Sequence, residues 1–274
     1  MIKSIPNLCS FLQLRKAEIV AVTDSIGKHY STKIQPKKKY GKFQIDQDGS
    51  IRMRNLLAPD YFLKSRQKLI ANLLNRIVLP DYMYGAISKR NNIMNAGCHV
   101  GHTFFLKIDL KDFFPNITHQ QIFQMFREND FSPSVAHLLT KFTSHKYSLP
   151  QGAPSSPVIS NLVFRKTGNK IAALAKEKNI TFTTFLDDLC FSANEPFDEI
   201  IPIIIKILKK DHFCPSYKKI KRAINYCEIT GLYTYANMLE LPYQMQNEAK
   251  HNKFLIAYKN AVERYNKFFF IEPL

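Results

Sequence analysis

FFLKIDLKDFF, residues 104–114, is the stretch from which the rest of the chain can be read. Its first half is a compact apolar run, too short for a helix, that stops at Asp109. Asp112, two phenylalanines and Pro115 follow at once, so the expected strand ends in acidic side chains. FLDDLCFS (185–192) comes later, with ITFTTF (180–185) before its carboxylates and LCFSA (189–193) after them. Two β-rich runs around Leu186-Asp187-Asp188 predict a hairpin with two aspartates at its tip. Each feature alone has an ordinary reading, since an Asp-Asp pair is commonly a solvated turn and a strand-end aspartate commonly caps a helix. Together they predict three carboxylates, Asp109, Asp187 and Asp188, gathered at one point. Ionised carboxylates gather closely only where a cation neutralises them. Hard oxygen ligands in small number suit Mg²⁺, which keeps waters and completes its shell with substrate phosphates. Two such ions stabilise both the attacking and leaving oxygens of an in-line phosphoryl transfer.

The surrounding chain supplies the frame. Thr118 and Ser132-Pro133 open expected helices over 118–130 and 133–143. LPQGAPSSP (149–157) is a proline-rich loop leading into a helix that runs to about Lys178. EPFDEIIPIIIKILKK (195–210) has acids early and lysines late, as a helix dipole prefers. Upstream, an N-terminal helical element precedes KIQPKKKYGK (33–42), which reads as a basic loop. Asp48-Gly49 is a hairpin signal between FQI and IRM. YFLKSRQKLIANLLNRIVL (61–79) places Leu69, Ile70, Leu73, Leu74 and Ile77 at helical spacing. Near the C-terminal end Phe254, Tyr258, Ala261, Tyr265 and Phe268 do the same among lysines. The order β-α-β-β-α predicts an α+β protein with a split sheet covered by helices on one face.

Composition narrows the partner. Lys plus Arg number 39 against 22 Asp plus Glu, a net charge of +17, with 45% hydrophobic residues. That is a globular chain with an electrostatic preference for a polyanion, nucleic acid before membrane. Five cysteines without a C-x-x-C pair exclude a zinc ribbon and predict reduced thiols. No apolar run is long enough to span a bilayer, so a soluble, cytoplasmic protein is expected.

FFLKIDLKDFF, LPQGAPSSPVISN and FLDDLCFS resemble the A, B and C motifs of bacterial reverse transcriptases. IRMRNLLAP (51–59) resembles the finger motif that meets the nucleotide triphosphate, SYKK (216–219) the lysine-bearing motif D, and ITGLY (229–233) motif E. NAGCH (95–99) and ITG (229–231) further resemble the Asn-Ala-x-x-His and Val-Thr-Gly patterns of retron enzymes. The resemblance covers roughly residues 50–235 and departs at Phe185-Leu186, where Tyr-Ala is usual.

The resemblance implies a right-hand polymerase: N-terminal helices and fingers over 1–100, palm over 101–230 and a short helical thumb over 231–274. It implies RNA-directed DNA synthesis with two Mg²⁺ ions on Asp109, Asp187 and Asp188, the Leu110 carbonyl being a further ligand. Phe114 would be the steric gate against a ribose 2′-hydroxyl, and Gln151 and Gly152 would line the nucleotide and template. Arg52 and Arg54 would take the triphosphate, because guanidinium forks match phosphate oxygens. Lys219, with Lys218 as its alternative, would protonate pyrophosphate. Asn95, His99, Lys250, Lys253 and Lys259 are RNA-binding candidates, with a buried structural role the alternative for His99. The implied partners are a structured non-coding RNA serving as template and primer, its DNA product, dNTPs and an effector protein, in anti-phage defence. The alternatives are a defence-associated reverse transcriptase that is not a retron enzyme, and a silent RNA-binding scaffold.

Overall fold

The structure is a computed structural model describing residues 1–39, 41–46 and 48–270. The chain opens with α1 (Ile5–Leu12), capped by Ser4, and α2 (Lys16–Asp24), where Arg15 and Glu18 form a capping box. Next comes a long ribbon. Its strands β1 (Tyr30–Pro36) and β4 (Met53–Pro59) pair antiparallel, from Tyr30 opposite Pro59 to Pro36 opposite Met53. Between them β2 (Lys38–Lys39) and β3 (Lys42–Phe43) continue the arm. The expected loop over 33–42 is therefore largely β structure, apart from Tyr40, which lies outside the described residues. Exposed lysines disguise it, because ladder hydrogen bonds rather than an apolar face hold a two-stranded arm. The expected turn at Asp48-Gly49 is present, with Gly49 at φ +83° donating to the Asp46 carbonyl at 3.0 Å.

Asp60 caps α3 (Tyr61–Leu74), which buries Leu63, Ile70 and Leu74. The helix stops at Leu74 with Asn75 as its C-cap, so Ile77 lies beyond it. Then follow α4 (Asn92–Gly97), β5 (Phe104–Asp109) and the single turn α5 (Phe113–Asn116). Thr118 caps α6 (His119–Glu128), Ser132 caps α7 (Pro133–Thr143), and α8 (Ser156–Glu177) follows the proline-rich loop. After β6 (Thr181–Phe185), β7 (Asp188–Ala193) and α9 (Ile201–Lys210) come β8 (Lys221–Ile224), β9 (Cys227–Ile229), β10 (Leu232–Thr234) and β11 (Leu239–Glu240). Two helices close the described chain, α10 (Tyr243–Ala249) and α11 (Lys253–Phe269).

These elements form two compact units, neither continuous in sequence. Residues 1–79 and 112–166 make the first, and 80–111 with the chain from Thr167 onward make the second. In the first unit α1, α2 and α3 pack with α7, and buried Gln67 ties the ribbon to them. Its amide nitrogen donates to the Tyr30 hydroxyl at 2.7 Å and to the Phe142 carbonyl at 2.9 Å.

The second unit is built on a four-stranded antiparallel sheet of order β6-β7-β5-β8. Strand alternation sends Leu106 and Ile108 to one face and Phe105, Lys107 and Asp109 to the other. Across the ladder Cys190 lies opposite Lys107, and Asp188 opposite Asp109. On the Phe105 and Cys190 side the smaller sheet β9-β10-β11 closes a core with α4 and α11 through Ile229, Leu232 and Val262. The architecture is the α+β arrangement, with a four-stranded antiparallel sheet and packed helices, expected from the sequence.

Along α11 the observed stripe is displaced from the one expected. Leu255 and Val262 are buried, and Tyr258 and Tyr265 pack beside them, while Phe254 and Phe268 remain 76% and 81% exposed. No helix among the described residues is long and apolar enough to cross a membrane.

Candidate active site

The β6–β7 hairpin pairs Phe185 with Asp188, leaving Leu186 and Asp187 as a two-residue turn. Leu186 sits at φ +58°, where side chains other than glycine are strained. A strap over residues 80–85 supports this turn. Thr184 donates its backbone N–H to the Tyr82 carbonyl at 2.7 Å, and Tyr84 donates to the Thr184 carbonyl at 2.8 Å. The Arg90 guanidinium holds the strap through the Pro80 and Met83 carbonyls and Asp81. Gly85 completes the seat, because a Cβ there would lie 2.6 Å from the Leu186 nitrogen and 2.8 Å from its Cγ. Sequence reading missed this strap; its local signals are Pro80-Asp81 at one end and Gly85 at the other.

The three aspartates are brought together. Asp109 is the register partner of Asp188, and the Leu110 N–H donates to the Asp187 carbonyl at 2.9 Å, tying strand end to hairpin tip. Burial, then the neighbouring charge of Asp188, pushes the Asp187 carboxyl up to about 6. Burial raises Asp188 also, with Lys107 opposing it across the ladder. Lys107, which sequence reading passed over, donates its ammonium to the Glu228 carbonyl at 2.7 Å.

Lys219 is bound to the same cluster. It ends a single turn over Tyr217–Lys219, and its Nζ lies 2.8 Å from Asp109 Oδ2. Among the described residues no three His, Cys, Asp or Glu side chains form a ready metal shell. Here one oxygen of Asp109 is already engaged by an ammonium. The donor chemistry is that of a hard divalent cation: three carboxylates, one at the end of β5 and two at the tip of the β6–β7 hairpin.

The first unit carries the remaining nucleotide candidates. Gln151 accepts the Leu57 N–H at 2.8 Å, so the proline-rich loop is bonded to β4. Gly152 stands at φ +125°, and a Cβ there would come 2.8 Å from the Leu57 carbonyl oxygen. Only glycine satisfies both demands. Arg52 is half-exposed and paired through Nε with Asp46 at 2.5 Å, while Arg54 is exposed opposite Gln35. Phe113 is buried edge-on against Phe164 at 6.1 Å between centroids, whereas Phe114 is only half-buried. Of the two rings Phe114 is the more exposed, edge-on to Phe113 at 5.6 Å between centroids.

The RNA-binding candidates divide. Asn95 and His99 expose none of their surface, so direct RNA contact is replaced by a structural role. His99 is bonded to Ser192 Oγ at 2.6 Å and Thr183 Oγ1 at 2.7 Å, and burial pushes its imidazole down to about 3. Asn95 donates to Thr230 Oγ1 at 3.4 Å, and Asn92 donates to the Thr230 carbonyl at 3.1 Å. NAGCH and ITG therefore meet, and α4 fixes the turn at Thr230, which takes φ +45°. Lys250, Lys253 and Lys259 are exposed, with Lys250 and Lys259 lining a polar groove between α10 and α11.

Residues 35–255 match the family model described as reverse transcriptase (RNA-dependent DNA polymerase). The retron Ec86 reverse transcriptase of Escherichia coli is 33% identical over 157 residues, covering 57% of this chain and 49% of that protein. The retron Mx162 reverse transcriptase of Myxococcus xanthus is 30% identical over 164 residues, covering 53% and 33%. The retron Se72 reverse transcriptase of Salmonella heidelberg (strain 579083-10) is 22% identical over 278 residues, covering 97% and 71%. The chain thus spans half or less of the first two relatives. A telomerase from Candida albicans superposes with a TM-score of 0.50 at 10% identity, over 84% of this chain and 50% of that one, a likeness of fold alone. The chain belongs to the reverse transcriptase family, and within it resembles the enzymes of bacterial retrons.

Proposed function

We propose that this chain is the RNA-directed DNA polymerase of a retron, copying a structured non-coding RNA that is both template and primer into a branched RNA–DNA product. The observation that carries the reading is the pairing of Asp109 with Asp188 on adjoining strands, with Asp187 tied to them by the Leu110 N–H. Asp109, Asp187 and Asp188 would hold two Mg²⁺ ions, with the Leu110 carbonyl as a further ligand. When bound, the ions supply the charge that stabilises the attacking hydroxyl and the departing pyrophosphate.

The protein's own groups do the rest. Arg52 and Arg54 bind the triphosphate, the backbone at Gln151-Gly152 lines the nucleotide, and the Phe114 ring excludes a 2′-hydroxyl. Lys219 is the proton donor for pyrophosphate. Lys250, Lys253 and Lys259 take RNA phosphates on the exposed side of α10 and α11. The further partners are dNTPs, the DNA product and an effector protein in a cytoplasmic anti-phage system.

The test is extension on the copurified RNA with Mg²⁺ and dNTPs. Asp187→Asn and Asp188→Asn should each lower synthesis by about 10²–10³-fold or more while RNA binding persists. Near-normal extension by both variants would remove the assignment. Treatment with an enzyme that cuts 2′–5′ bonds should change the product's mobility, and an unbranched product would mean a reverse transcriptase that is not a retron enzyme.

A further inference from the structure

We propose that Lys219 is the placeholder of the cation site: its ammonium occupies Asp109 until a divalent ion displaces it. This rests on the metal reading above and adds a positioning role to the proton donation already assigned to Lys219.

Three observations converge. Lys219 Nζ lies 2.8 Å from Asp109 Oδ2, the register partner of Asp188. The lysine side chain is 58% exposed and the aspartate only 20%, so the carboxylate is fixed in the cluster while the ammonium has open solvent to move into. Third, the backbone beneath Lys219 is anchored independently of that ion pair. Ser216 donates its N–H to the Asp109 carbonyl at 2.7 Å, Lys111 donates to the Cys214 carbonyl at 2.8 Å, and Leu110 bridges Pro215. The Lys219 N–H itself donates to the Ser216 carbonyl at 2.8 Å. Releasing the ammonium therefore costs one partly exposed ion pair and moves only a four-carbon stem.

The electrostatics explain why a placeholder is useful. Asp109 faces Asp188 across the ladder, and Asp187 is tied to the same strand end by the Leu110 N–H. A third carboxylate left unpaired there would add like-charge repulsion at one point. A lysine neutralises it without competing strongly, because an exposed ion pair is weak. A divalent cation brings twice the charge and is held by several carboxylate oxygens of the aspartates at once, so it wins. The displaced ammonium is then free within one side-chain length of Asp109. Ion entry and lysine release are thus one exchange.

The test is Mn²⁺ affinity of the full chain without nucleic acid, read from the electron paramagnetic resonance signal of free Mn²⁺. Lys219→Met should bind Mn²⁺ about 2–5-fold more tightly than wild type, the scale of a partly exposed ion pair. Lys218→Met removes the same charge one residue away and should change affinity little. In an Asp109→Asn background, adding Lys219→Met should give no further tightening. Unchanged or weaker binding by Lys219→Met, or equal tightening by Lys218→Met, would overturn the placeholder. If wild type binds no Mn²⁺ that Asp187→Asn reduces, the metal reading falls and the placeholder with it. If the Asp187-dependent site is present but indifferent to Lys219, the placeholder alone falls.

Discussion

A leucine held at φ +58° carries strain of about 1–2 kcal/mol that its surroundings must offset. At Leu186 the offset comes from the strap, and Gly85 is its critical point. Two of the atoms a Cβ would meet there, the Leu186 nitrogen at 2.6 Å and the Phe185 carbonyl carbon at 2.9 Å, are backbone and cannot swing aside. Gly85→Ala should therefore shift the tip carrying Asp187, lowering the extension rate by about 10–100-fold. Its thermal midpoint should fall only as far as ordinary overpacking of about 1–3 kcal/mol requires. Extension within twofold of wild type would show that the strap does not set the turn. His99 makes a second residue-scale prediction. Its folded value of about 3 lies below the ~6.5 of an unfolded histidine, so the unfolded chain binds a proton that the fold refuses. Stability from this group is complete above ~6.5 and is lost as pH falls toward the folded value, about 2 kcal/mol between pH ~7 and ~5. Urea melts of wild type and His99→Gln at the two pH values should differ by that amount, and parallel losses would refute it. The aspartates were legible because their chemistry is carried by short local motifs. The burial of Asn95 and His99 was not, since their partners Thr230 and Ser192 lie 135 and 93 residues away.

Elements were read well wherever period and cap agree. Thr118 and Ser132 start α6 and α7 where expected, and the β-rich runs at 104–110 and 180–193 became β5, β6 and β7. Reading failed where an element is held by something other than its own pattern. The β1–β4 arm has no apolar face to announce it, and the buried stripe of α11 is chosen by what α4 and β11 present to it. Gly97 is the clearest instance. A Cβ there would overlap the Tyr265 hydroxyl on α11. Asn92 also bonds the Tyr258 hydroxyl at 2.6 Å, so α4 holds α11 with one face and the Thr230 turn with its amides. Gly97→Ala should loosen α11 by about 1–3 kcal/mol, seen as faster amide exchange along 253–269 with β5 and β7 still protected. Tyr265→Ala in the same chain should relieve the overlap, and exchange unaffected by Gly97→Ala would show that the contact is slack.

For the whole molecule, the charge excess of +17 falls mainly on the first unit, with 20 Lys and Arg against 8 Asp and Glu there and 19 against 14 in the second. Several acids are already committed to ion pairs: Asp46 to Arg52, Asp109 to Lys219, Asp24 to Lys141 and Asp211 to Lys170. Exposed lysines are left along the ribbon at Lys33, Lys37, Lys38 and Lys42, and along α10 and α11 at Lys250, Lys253 and Lys267. Sequence arithmetic gave the sign of this field, but its division between an arm and a helix pair needed the fold. Because RNA phosphates shed condensed counterions when lysines neutralise them, binding should weaken linearly on a log–log salt plot. The slope should be about −0.7 to −0.9 per contact. With ~5 contacts, affinity for the copurified RNA should fall roughly a hundredfold between ~50 and ~200 mM salt. Lys250→Gln with Lys253→Gln should make the slope shallower by about 1–2 if both lysines meet phosphate, and the same pair on the ribbon, Lys38→Gln with Lys42→Gln, measures the arm's share. A shallower slope in one pair alone would assign the RNA to that unit. A flat salt dependence in wild type would mean that the excess charge serves something other than nucleic acid.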